Sequence, residues 1–475
     1  MKKFDYIILL ITVLSVGCKG FLDEVSQDQI RPNKADHLAS LMLNECTLYH
    51  PSFIGASHMT DDVSENSLVP TSKKRAFKTI YTWQNEIELD ENGQRINTNL
   101  AWANLYRSIA ILNDVLISIE DIDDVESEIA YVKGEAYFLR AFSYFDLVNL
   151  YALPYEPEKA GVQLGVPIRL DHGVEQTYTR NSLQECYEQI ERDLLAAKVE
   201  ISHSGLTKSL WHPTVEACDL LMSRVKLFQQ EWQEVVEYAD SVTQKRGMMK
   251  LLDSMEFINS SNREILYSYQ YKQGDYNIEQ MKNTGYVVSG DLLAIFDDVN
   301  DIRFNCFLVK QGDNRRMNYY PRKFESYFTT FGIFNMRVAE AWLNKAEAYV
   351  HLDDIPSAQH AIRQVVDHRY RQPGQVQIPS EPQELLQFIY DERRREFCFE
   401  EHFRWYDLRR MGKEYRPEIR HVFTYVDGNY NQEGQEAYRF LKDDPNYVLP
   451  IPLAERDNNP LIINNDRMAK LPEAV

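Results

Sequence analysis

The segment from Glu126 to Tyr151 constrains the fold more than any other part of this sequence, because its apolar residues recur at helical spacing on more than one face. A helix that is apolar around most of its girth must be packed on several sides. The same spacing extends from Ala101 to Ile119, and helical patterns resume near Asn181 and Ser182, which suit a helix N-cap, and continue to about Gln244. The sequence therefore predicts a mainly α protein. The two apolar stripes of the long helix consist of Tyr137, Ala141, Tyr144, Val148 and Tyr151 and of Phe138, Phe142 and Phe145.

Two stretches have the residue pattern of a tetratricopeptide helix pair, in which small residues let two helices approach and larger ones fill the space beside them. The clearer stretch spans Lys345 to Val366, and a weaker one surrounds Glu231. Together they predict a tetratricopeptide-like helical-hairpin scaffold rather than an enzyme fold. The pattern residues are Ala346, Tyr349, Ala358 and Ile362 in the first stretch and Ser223, Lys226, Val235 and Ala239 in the second.

The region from Phe257 to Tyr327 has a different composition, with many Tyr, Asn, Gly and Asp residues and only short apolar runs. Long irregular segments inside a compact protein are usually functional. Tyr offers a flat apolar face with a polar tip, which suits polar ligands such as sugars, although any single Tyr is more often a core residue. We expect a loop-rich, partly β insert that faces a ligand.

The N-terminus has the features of a secretory signal. Lys2 and Lys3 are followed by an apolar run from Ile7 to Val16, which is too short to span a bilayer, and then by Gly17 and Cys18. This arrangement resembles the lipobox of bacterial lipoproteins, in which the chain is cut before a cysteine that is then acylated. Residues 1–17 are therefore predicted to be a lipoprotein signal peptide, and Cys18 the lipidation site that holds the protein to a bilayer.

Composition excludes several classes of protein. The chain has 475 residues, of which 44% are hydrophobic, so it can bury a large core. Its net charge of −20 disfavours nucleic acid, which requires a basic face. It has six cysteines, and without Cys18 they form an odd and scattered set with no C-x-x-C, so neither a disulfide framework nor a zinc site is predicted.

One cluster of carboxylates could indicate glycoside hydrolysis, which needs two acids across the scissile bond. These acids, however, alternate with arginines at helical spacings, as a structural ion-pair network requires. We therefore predict no catalytic residues here. The acids are Glu396, Glu400, Glu401 and Asp407, and the arginines are Arg393, Arg394, Arg395, Arg404, Arg409 and Arg410.

A second acidic cluster, Asp61, Asp62 and Glu65, lies in a segment that also carries Ser and Asn. Such a group could bind sugar hydroxyls or a structural calcium ion, or it could simply be a solvated loop. No cofactor is otherwise indicated.

Several segments, taken in order, form a recognisable series over nearly the whole chain after Cys18. They are Cys18 to Glu24, Gly134 to Ala141, Tyr144 to Tyr151, Arg180 to Leu183 with Tyr187, Ile190, Asp193 and Leu194, Arg337 to Ala348, Glu392 to Glu396, Phe399 to Arg410, and Leu449 to Pro452 with Glu455, Asn459 and Pro460. In their order and rough spacing these segments resemble the SusD/RagB family. The chain departs from the family pattern at Ala152, where the family usually has Gly, and in the terminal Ile463-Asn-Asn-Asp.

The resemblance implies a SusD-like fold with an N-terminal helical region at residues 18–250 and a C-terminal region at 251–475. The latter would contain the Tyr-rich loops at 257–330 and tetratricopeptide-like helices at 334–412. It also implies a function: a lipid-anchored, surface-exposed outer-membrane protein that captures oligosaccharide, or in some members peptide, and delivers it to a SusC-like TonB-dependent barrel transporter without making or breaking a bond.

The same resemblance suggests which residues contact the ligand. Trp83, with Tyr81 beside it, follows the acidic loop where the family carries a sugar-stacking aromatic. Asp61 and Asp62 are candidates for accepting hydrogen bonds from hydroxyl groups. Further candidates from the Tyr-rich segment are Tyr271, Tyr276, Tyr286 and Tyr320.

Two other functions are compatible with the sequence. A tetratricopeptide lipoprotein could act as a scaffold for envelope protein assembly without any nutrient ligand, although such a scaffold would have no use for a long polar-aromatic insert. A surface hydrolase is the third possibility, and it would have to release sugar or peptide from a polymer.

Overall fold

The structure is a computed structural model that describes residues 32–53, 55–90, 92–96, 99–171, 177–253, 262–270, 278–312, 317–323 and 332–473. The α-helices are α1 Ala35–Met42, α2 Thr71–Lys74, α3 Lys78–Tyr81, α4 Ala101–Ser118, α5 Glu126–Tyr151, α6 Leu183–Ser204, α7 Val215–Gln229, α8 Trp232–Thr243, α9 Ile278–Thr284, α10 Gly290–Ala294, α11 Ile302–Phe307, α12 Val338–His351, α13 Ile355–Arg369, α14 Pro382–Phe397, α15 Phe403–Arg410 and α16 Leu453–Asn458. The strands are β1 Val63–Glu65, β2 Ile265–Tyr269, β3 Tyr286–Val288, β4 Leu308–Gly312, β5 Met317–Pro321, β6 Phe334–Arg337, β7 Ile419–Val426 and β8 Gln432–Phe440.

The fold is mainly α, as the sequence predicts. The predicted signal peptide at residues 1–17, Cys18, Tyr271 and Tyr276 lie outside the described residues. Within the part of the chain that the structure describes, no helix is both long enough and apolar enough to cross a membrane.

Helix α5 is the centre of the N-terminal half and is buried along nearly all of its length. It packs mainly against α6 and α4. Gly134 allows the close approach of α6, because a Cβ at this position would lie 2.6 Å from Cγ1 and 2.9 Å from the backbone nitrogen of Ile201. The multi-sided packing that its apolar stripes predict is therefore observed.

Helix α6 begins at a capping box. The Glu185 amide donates to Ser182 Oγ at 3.2 Å, and the Ser182 amide donates to Glu185 Oε2 at 2.8 Å. This reciprocal pair satisfies backbone donors that the first helical turn leaves without intrahelical partners. The prediction of a helix cap at Ser182 is confirmed. The cap was predictable because it depends on two residues only three positions apart.

The two tetratricopeptide-like stretches form helix pairs, α7 with α8 and α12 with α13. The pairs meet because α12 also packs against α8 and α7. Ala346, Ala358 and Ile362 are fully buried between their helices. In the weaker pair, Ser223 Oγ donates to the Val235 carbonyl at 3.2 Å, which bridges α7 and α8.

The strands form four two-stranded antiparallel pairs: β1 with β3, β2 with β6, β4 with β5, and β7 with β8. The described part of the Tyr-rich region contributes β2 to β5 together with the short helices α9 to α11. All five residues of β2, including Tyr267 and Tyr269, are buried. For these two tyrosines, packing in the core is the correct interpretation.

The arginine-rich run of α14 and α15 belongs to a structural ion-pair network, as predicted, but several of the partners lie outside the run. Its centre is Glu396, whose carboxylate contacts Arg303 at 3.3 Å, Arg337 at 2.6 Å and Arg369 at 2.9 Å, all with no exposed side-chain surface. Burial opposes ionisation of Glu396, but the three guanidinium groups hold its pKa well below the usual range. These three arginines come from α11, β6 and α13, so the network joins elements far apart in sequence.

Candidate ligand-binding site

Trp83 and Tyr81 lie in the core, where they enclose the imidazole of His421. The His421 ring stacks on Tyr81 at 3.9 Å and on Trp83 at 4.3 Å between ring centroids. The Trp83 indole N–H donates to the Met59 carbonyl at 2.8 Å. Trp83 is 0% and Tyr81 1% exposed, so neither ring offers a face to a ligand. This corrects the expectation that they contact sugar: their aromatic surface packs the protein interior.

Asp61 and Asp62 are also buried, and arginines of α14 and α15 bind their carboxylates. Arg404 Nη2 lies 2.7 Å from Asp61 Oδ2, and Arg394 Nε lies 2.7 Å from Asp62 Oδ1. Burial alone would raise the pKa of Asp61, but Arg394 and Arg404 hold it well below the usual range. Because guanidinium groups occupy these oxygens, the expectation that they bind calcium or sugar hydroxyls is corrected.

Two of the remaining tyrosine candidates can be placed. Tyr286, on β3, has no exposed surface, and its hydroxyl donates to the Lys74 carbonyl at 3.3 Å. Tyr320, on β5, is 4% exposed. Neither presents its ring at the surface, which corrects the expectation of ligand contact for both.

His58 lies in the same aromatic cluster and gives a pH-dependent prediction. Its ring stacks on Phe77 at 4.2 Å, neither ring nitrogen has a hydrogen-bond partner among the described residues, and burial lowers its pKa from 6.5 to about 3. Between pH 6.5 and pH 3, His58 is therefore protonated in the unfolded chain and neutral in the folded chain. The free energy of unfolding falls as the pH drops through this range. We expect His58→Phe to lose less stability than the parent between pH 7 and pH 4.5, measured by urea unfolding at each pH. His203→Phe serves as the control, because the His203 side chain is exposed. If the free energy of unfolding of His58→Phe changed with pH in parallel with that of the parent, the prediction would be contradicted.

A cleft built from described residues has a volume of about 600 Å³ and is open to solvent. Its walls are the segment after α1, the first turns of α4, and the residue that follows β2. This volume lies within the usual range of small-molecule sites. The lining residues are Glu45, Leu48, Tyr49, His50, Pro51, Ser52, Phe53, Gly55, Phe77, Asn99, Leu100, Ala101, Asn104, Arg107, Ser108 and Gln270.

Asn99 supplies a hydrogen-bond donor to this cleft. Its Oδ1 accepts from the Ala101 amide at 3.2 Å and from the Tyr151 hydroxyl at 2.9 Å. A backbone N–H can only donate, so this contact fixes which end of the side-chain amide is the oxygen. The Nδ2 group has no partner among the described residues, although Asn99 is only 7% exposed.

Gln270 supplies an acceptor. Its backbone N–H donates to the Thr47 carbonyl at 2.9 Å, and its carbonyl accepts from the Ile333 amide at 3.0 Å. These bonds hold it at a φ of +62°, which is uncommon for a residue other than glycine. Its Oε1 has no partner in the described part of the chain, and the residue is 5% exposed. A buried amide oxygen without a partner costs about 1–3 kcal/mol, which a ligand hydroxyl would offset.

The rim of the cleft combines an aromatic and an ion pair. Tyr49 is 56% exposed and lies beside the opening. Arg107 Nη2 contacts Glu45 Oε2 at 2.5 Å, so both rim charges are already paired. The cleft therefore combines amides that donate and accept, an exposed aromatic ring and charges that are already paired. This combination suits a neutral molecule rich in hydroxyl groups.

A second cleft of about 540 Å³ lies beside the β7–β8 hairpin, but its polar groups are bonded to each other. Lys78 Nζ donates to the Tyr425 hydroxyl at 2.5 Å, and the hydroxyls of Tyr425 and Tyr438 both donate to Glu436 at 2.8 Å. A ligand would have to break these bonds to enter. The first cleft is therefore the better candidate.

Sequence reasoning missed both Asn99 and Gln270. Asn99 stands just before α4, where an Asn reads as an ordinary helix start, and Gln270 ends a strand beside the Tyr-rich segment. The neighbouring residues in the sequence do not show whether the side-chain amide of a Gln is buried without a partner or exposed to solvent. Only the folded chain shows that the two amides line one cleft.

Two family models match the chain in succession. Residues 20–227 match a SusD-like family described as starch-binding and associating with the outer membrane, and residues 264–467 match the SusD family. The chain belongs to the SusD/RagB family.

Relatives of this SusD family chain agree in length and fold. SusD-like protein P2 of Formosa agariphila is 23% identical, and the alignment covers 98% of this chain and 99% of that protein. A SusD superfamily protein from Bacteroides thetaiotaomicron superposes with a TM-score of 0.73 at 22% identity, over 91% of this chain and 100% of the other. A SusD-like carbohydrate binding protein from Bacteroides vulgatus gives 0.69 at 20% identity, over 91% and 98%.

Proposed function

We propose that this SusD family protein captures an oligosaccharide in the cleft between Tyr49, Asn99 and Gln270 and delivers it to a SusC-like TonB-dependent barrel transporter. The observation that carries the proposal is the pair of buried amides in one cleft, one donor and one acceptor, for which the described residues offer no partner. A sugar ring carries hydroxyl groups that both donate and accept, so a single ligand satisfies both amides. The carbohydrate-binding description of the relative from Bacteroides vulgatus supports the same ligand class.

The proposed location is the outer membrane, with the protein held by a lipid on Cys18 and exposed at the cell surface. The outer-membrane association in the description of the first family model supports this. Several acyl chains on one cysteine anchor a protein firmly, since each buried methylene adds about 0.8 kcal/mol.

Binding without catalysis is part of the proposal. A glycosidase needs two carboxylic acids beside the scissile bond. Among the described residues that line the cleft, Glu45 is the one carboxylic acid, and it is paired with Arg107. Three of the four acids singled out in the sequence are used elsewhere: Glu396 and Glu400 bind Arg337, and Asp407 binds Arg393.

The transporter partnership is tested by tagging the C-terminus, solubilising the outer membrane gently, and identifying the co-purified proteins by mass spectrometry. We expect a large barrel transporter in near-equal amount. Recovery of envelope-assembly proteins without such a barrel would contradict the proposal and favour the tetratricopeptide scaffold.

The ligand site is tested with Gln270→Met, which removes the amide and keeps the length of the side chain. We expect affinity for the oligosaccharide that binds the parent to fall about 5–100-fold, because a hydrogen bond to a buried group contributes about 1–3 kcal/mol and 1.4 kcal/mol is tenfold. Isothermal titration against a panel of neutral oligosaccharides, acidic oligosaccharides and peptides measures it and identifies the ligand class.

Gln84→Met is the matched control, because Gln84 lines the second cleft. Its affinity is expected to equal that of the parent. A loss in Gln84→Met with none in Gln270→Met would move the site to the β7–β8 cleft, and binding of peptides alone would replace oligosaccharide as the ligand.

A further inference from the structure

Three side chains that no part of the proposed function uses come together beneath the cleft. One oxygen or nitrogen from each of His50, Asp146 and Glu401 lies within 4.8 Å of those of the other two, and all three residues are buried. His50 Nε2 lies 2.8 Å from Asp146 Oδ2. They come from the segment after α1, from α5, and from the turn before α15, so the fold and not a local motif assembles them.

Glu401 is only partly satisfied in this cluster. Its Oε2 accepts from the Tyr269 hydroxyl at 2.5 Å, whereas its Oε1 has no hydrogen-bond partner among the described residues. The residue is 5% exposed and has a φ of +45°. A non-glycine residue in this region is strained and persists only where the surrounding structure holds it. The fold therefore holds a carboxylate oxygen without a partner in a buried position.

Among the described residues, no lysine or arginine compensates the charge of the cluster. No Lys or Arg nitrogen of the described residues lies within 4 Å of the carboxylate of Asp146 or Glu401, and the ion-pair contacts of Asp146 are with His50 and His402. Glu396 and Asp407, in the same core, each have guanidinium partners. Two buried carboxylates are costly, and their nearest described basic groups are imidazoles, so a metal ion between the carboxylates would stabilise the cluster.

We propose that His50, Asp146 and Glu401 form a binding site for one divalent transition-metal ion of the zinc type. One imidazole and two carboxylates are ligands that zinc accepts, at bond lengths of about 2.0–2.2 Å, so three ligand atoms within 4.8 Å of one another need only small movements to meet one ion. The imidazole nitrogen favours zinc over calcium, which takes oxygen ligands. The ion would bind Glu401 Oε1 and neutralise both carboxylates.

Neighbouring groups orient these ligands as second-shell residues do in metal sites. The Tyr269 hydroxyl holds the other oxygen of Glu401, and the Tyr406 hydroxyl donates to Asp146 Oδ1 at 2.8 Å. The His50 ring stacks on Phe142 at 4.3 Å, which fixes its plane. His50 also lines the 600 Å³ cleft, which gives an ion a route to the cluster.

His402 does not belong to the ligand set, although it is close. Its Nε2 accepts from the Phe53 amide at 2.8 Å, and its Nδ1 lies 3.0 Å from the Tyr406 hydroxyl. An imidazole nitrogen that accepts from a backbone N–H carries no proton, so the proton of the neutral ring is on Nδ1 and is directed at Tyr406.

The test titrates Zn²⁺ into the full mature chain after dialysis against a chelator, with calorimetry for stoichiometry and elemental analysis after gel filtration. We expect one equivalent of tightly bound zinc and a melting temperature that rises by several degrees, since an ion that binds only the folded state stabilises it. Co²⁺ is expected to give visible absorption of the intensity typical of a four-coordinate site.

Glu401→Gln keeps the size of the side chain and is expected to weaken zinc binding by more than the roughly 10–100-fold that a second-shell change costs. His50→Gln, which keeps a donor to Asp146, gives a second test if Glu401→Gln does not fold. The control is His203→Ala, since His203 is exposed and lies 3.9 Å from Glu126 in a surface pair. Zinc binding that survives in both core variants, or is absent from the folded parent, overturns the proposal. These outcomes are measured as zinc binding, whereas Gln270→Met tests the cleft by oligosaccharide affinity, so the two proposals can fail independently.

Discussion

Replacing Glu396 with Gln is expected to lower the free energy of unfolding by about 3–5 kcal/mol, the usual cost of removing one partner from a buried ion pair. The carboxylate of Glu396 is shared by Arg303, Arg337 and Arg369, and none of the four side chains has exposed surface. A neutral amide leaves these guanidinium charges in a medium that solvates them poorly. The midpoint of urea unfolding, followed by circular dichroism, measures the effect.

Glu156→Gln provides the control, because Glu156 is also paired with a cation but at the surface. Glu156 contacts Lys159 at 2.5 Å, and both side chains are more than half exposed. Exposed pairs contribute about 0–1 kcal/mol, so the urea midpoint should barely move. If Glu396→Gln shifted the midpoint no more than Glu156→Gln, the arginine cluster would not be a stabilising centre.

Trp83→Ala is expected to destabilise the protein by about 3–5 kcal/mol, the range for truncating a buried aromatic residue. The change removes the ring that covers His421 and leaves the Met59 carbonyl without its indole donor. Oligosaccharide affinity, measured at a temperature where the variant is folded, should change by no more than about twofold, because the ring has no exposed face.

Tyr49→Ala is the opposite case and the matched control. Tyr49 is 56% exposed at the rim of the cleft, so its loss should leave stability within about 0.5 kcal/mol and weaken binding. If Trp83→Ala abolished binding while its melting temperature stayed at the parental value, the interpretation of Trp83 as a ligand contact would be restored.

The fold was predictable where the signal is local. The helical spacing of 126–151 and the cap at Ser182 involve residues within a few turns of each other, and both match the structure. The structural role of the arginine-rich run was also predictable, because acids and arginines alternate along α14 and α15 and buried charges need partners of opposite sign. Arg303, Arg337 and Arg369 could not be assigned to the network from sequence, since they come from separate elements.

The site was not predictable from residue type. In sequence, Asp61 and Trp83 resemble binding residues at a surface. In the fold, Asp61 contacts Arg394, which is 333 positions away, and Trp83 stacks on His421. A polar or aromatic side chain near a predicted loop has the same local pattern whether it faces solvent or the core. Conversely, Asn99 and Gln270 become candidates only because they line one cleft, where no described residue bonds the Asn99 Nδ2 group or the Gln270 Oε1 atom.

The contacts between the two ends of the chain have a consequence for how the protein is made. Lys74 Nζ donates to the Thr424 carbonyl at 2.8 Å, and Asn446 Nδ2 donates to the Trp83 carbonyl at 2.8 Å, across 350 and 363 positions. The aromatic cluster around Trp83 therefore cannot close until the last quarter of the chain is available to it. The two halves matched by separate family models share these contacts, so a truncation within the second half is expected to leave the first incompletely packed.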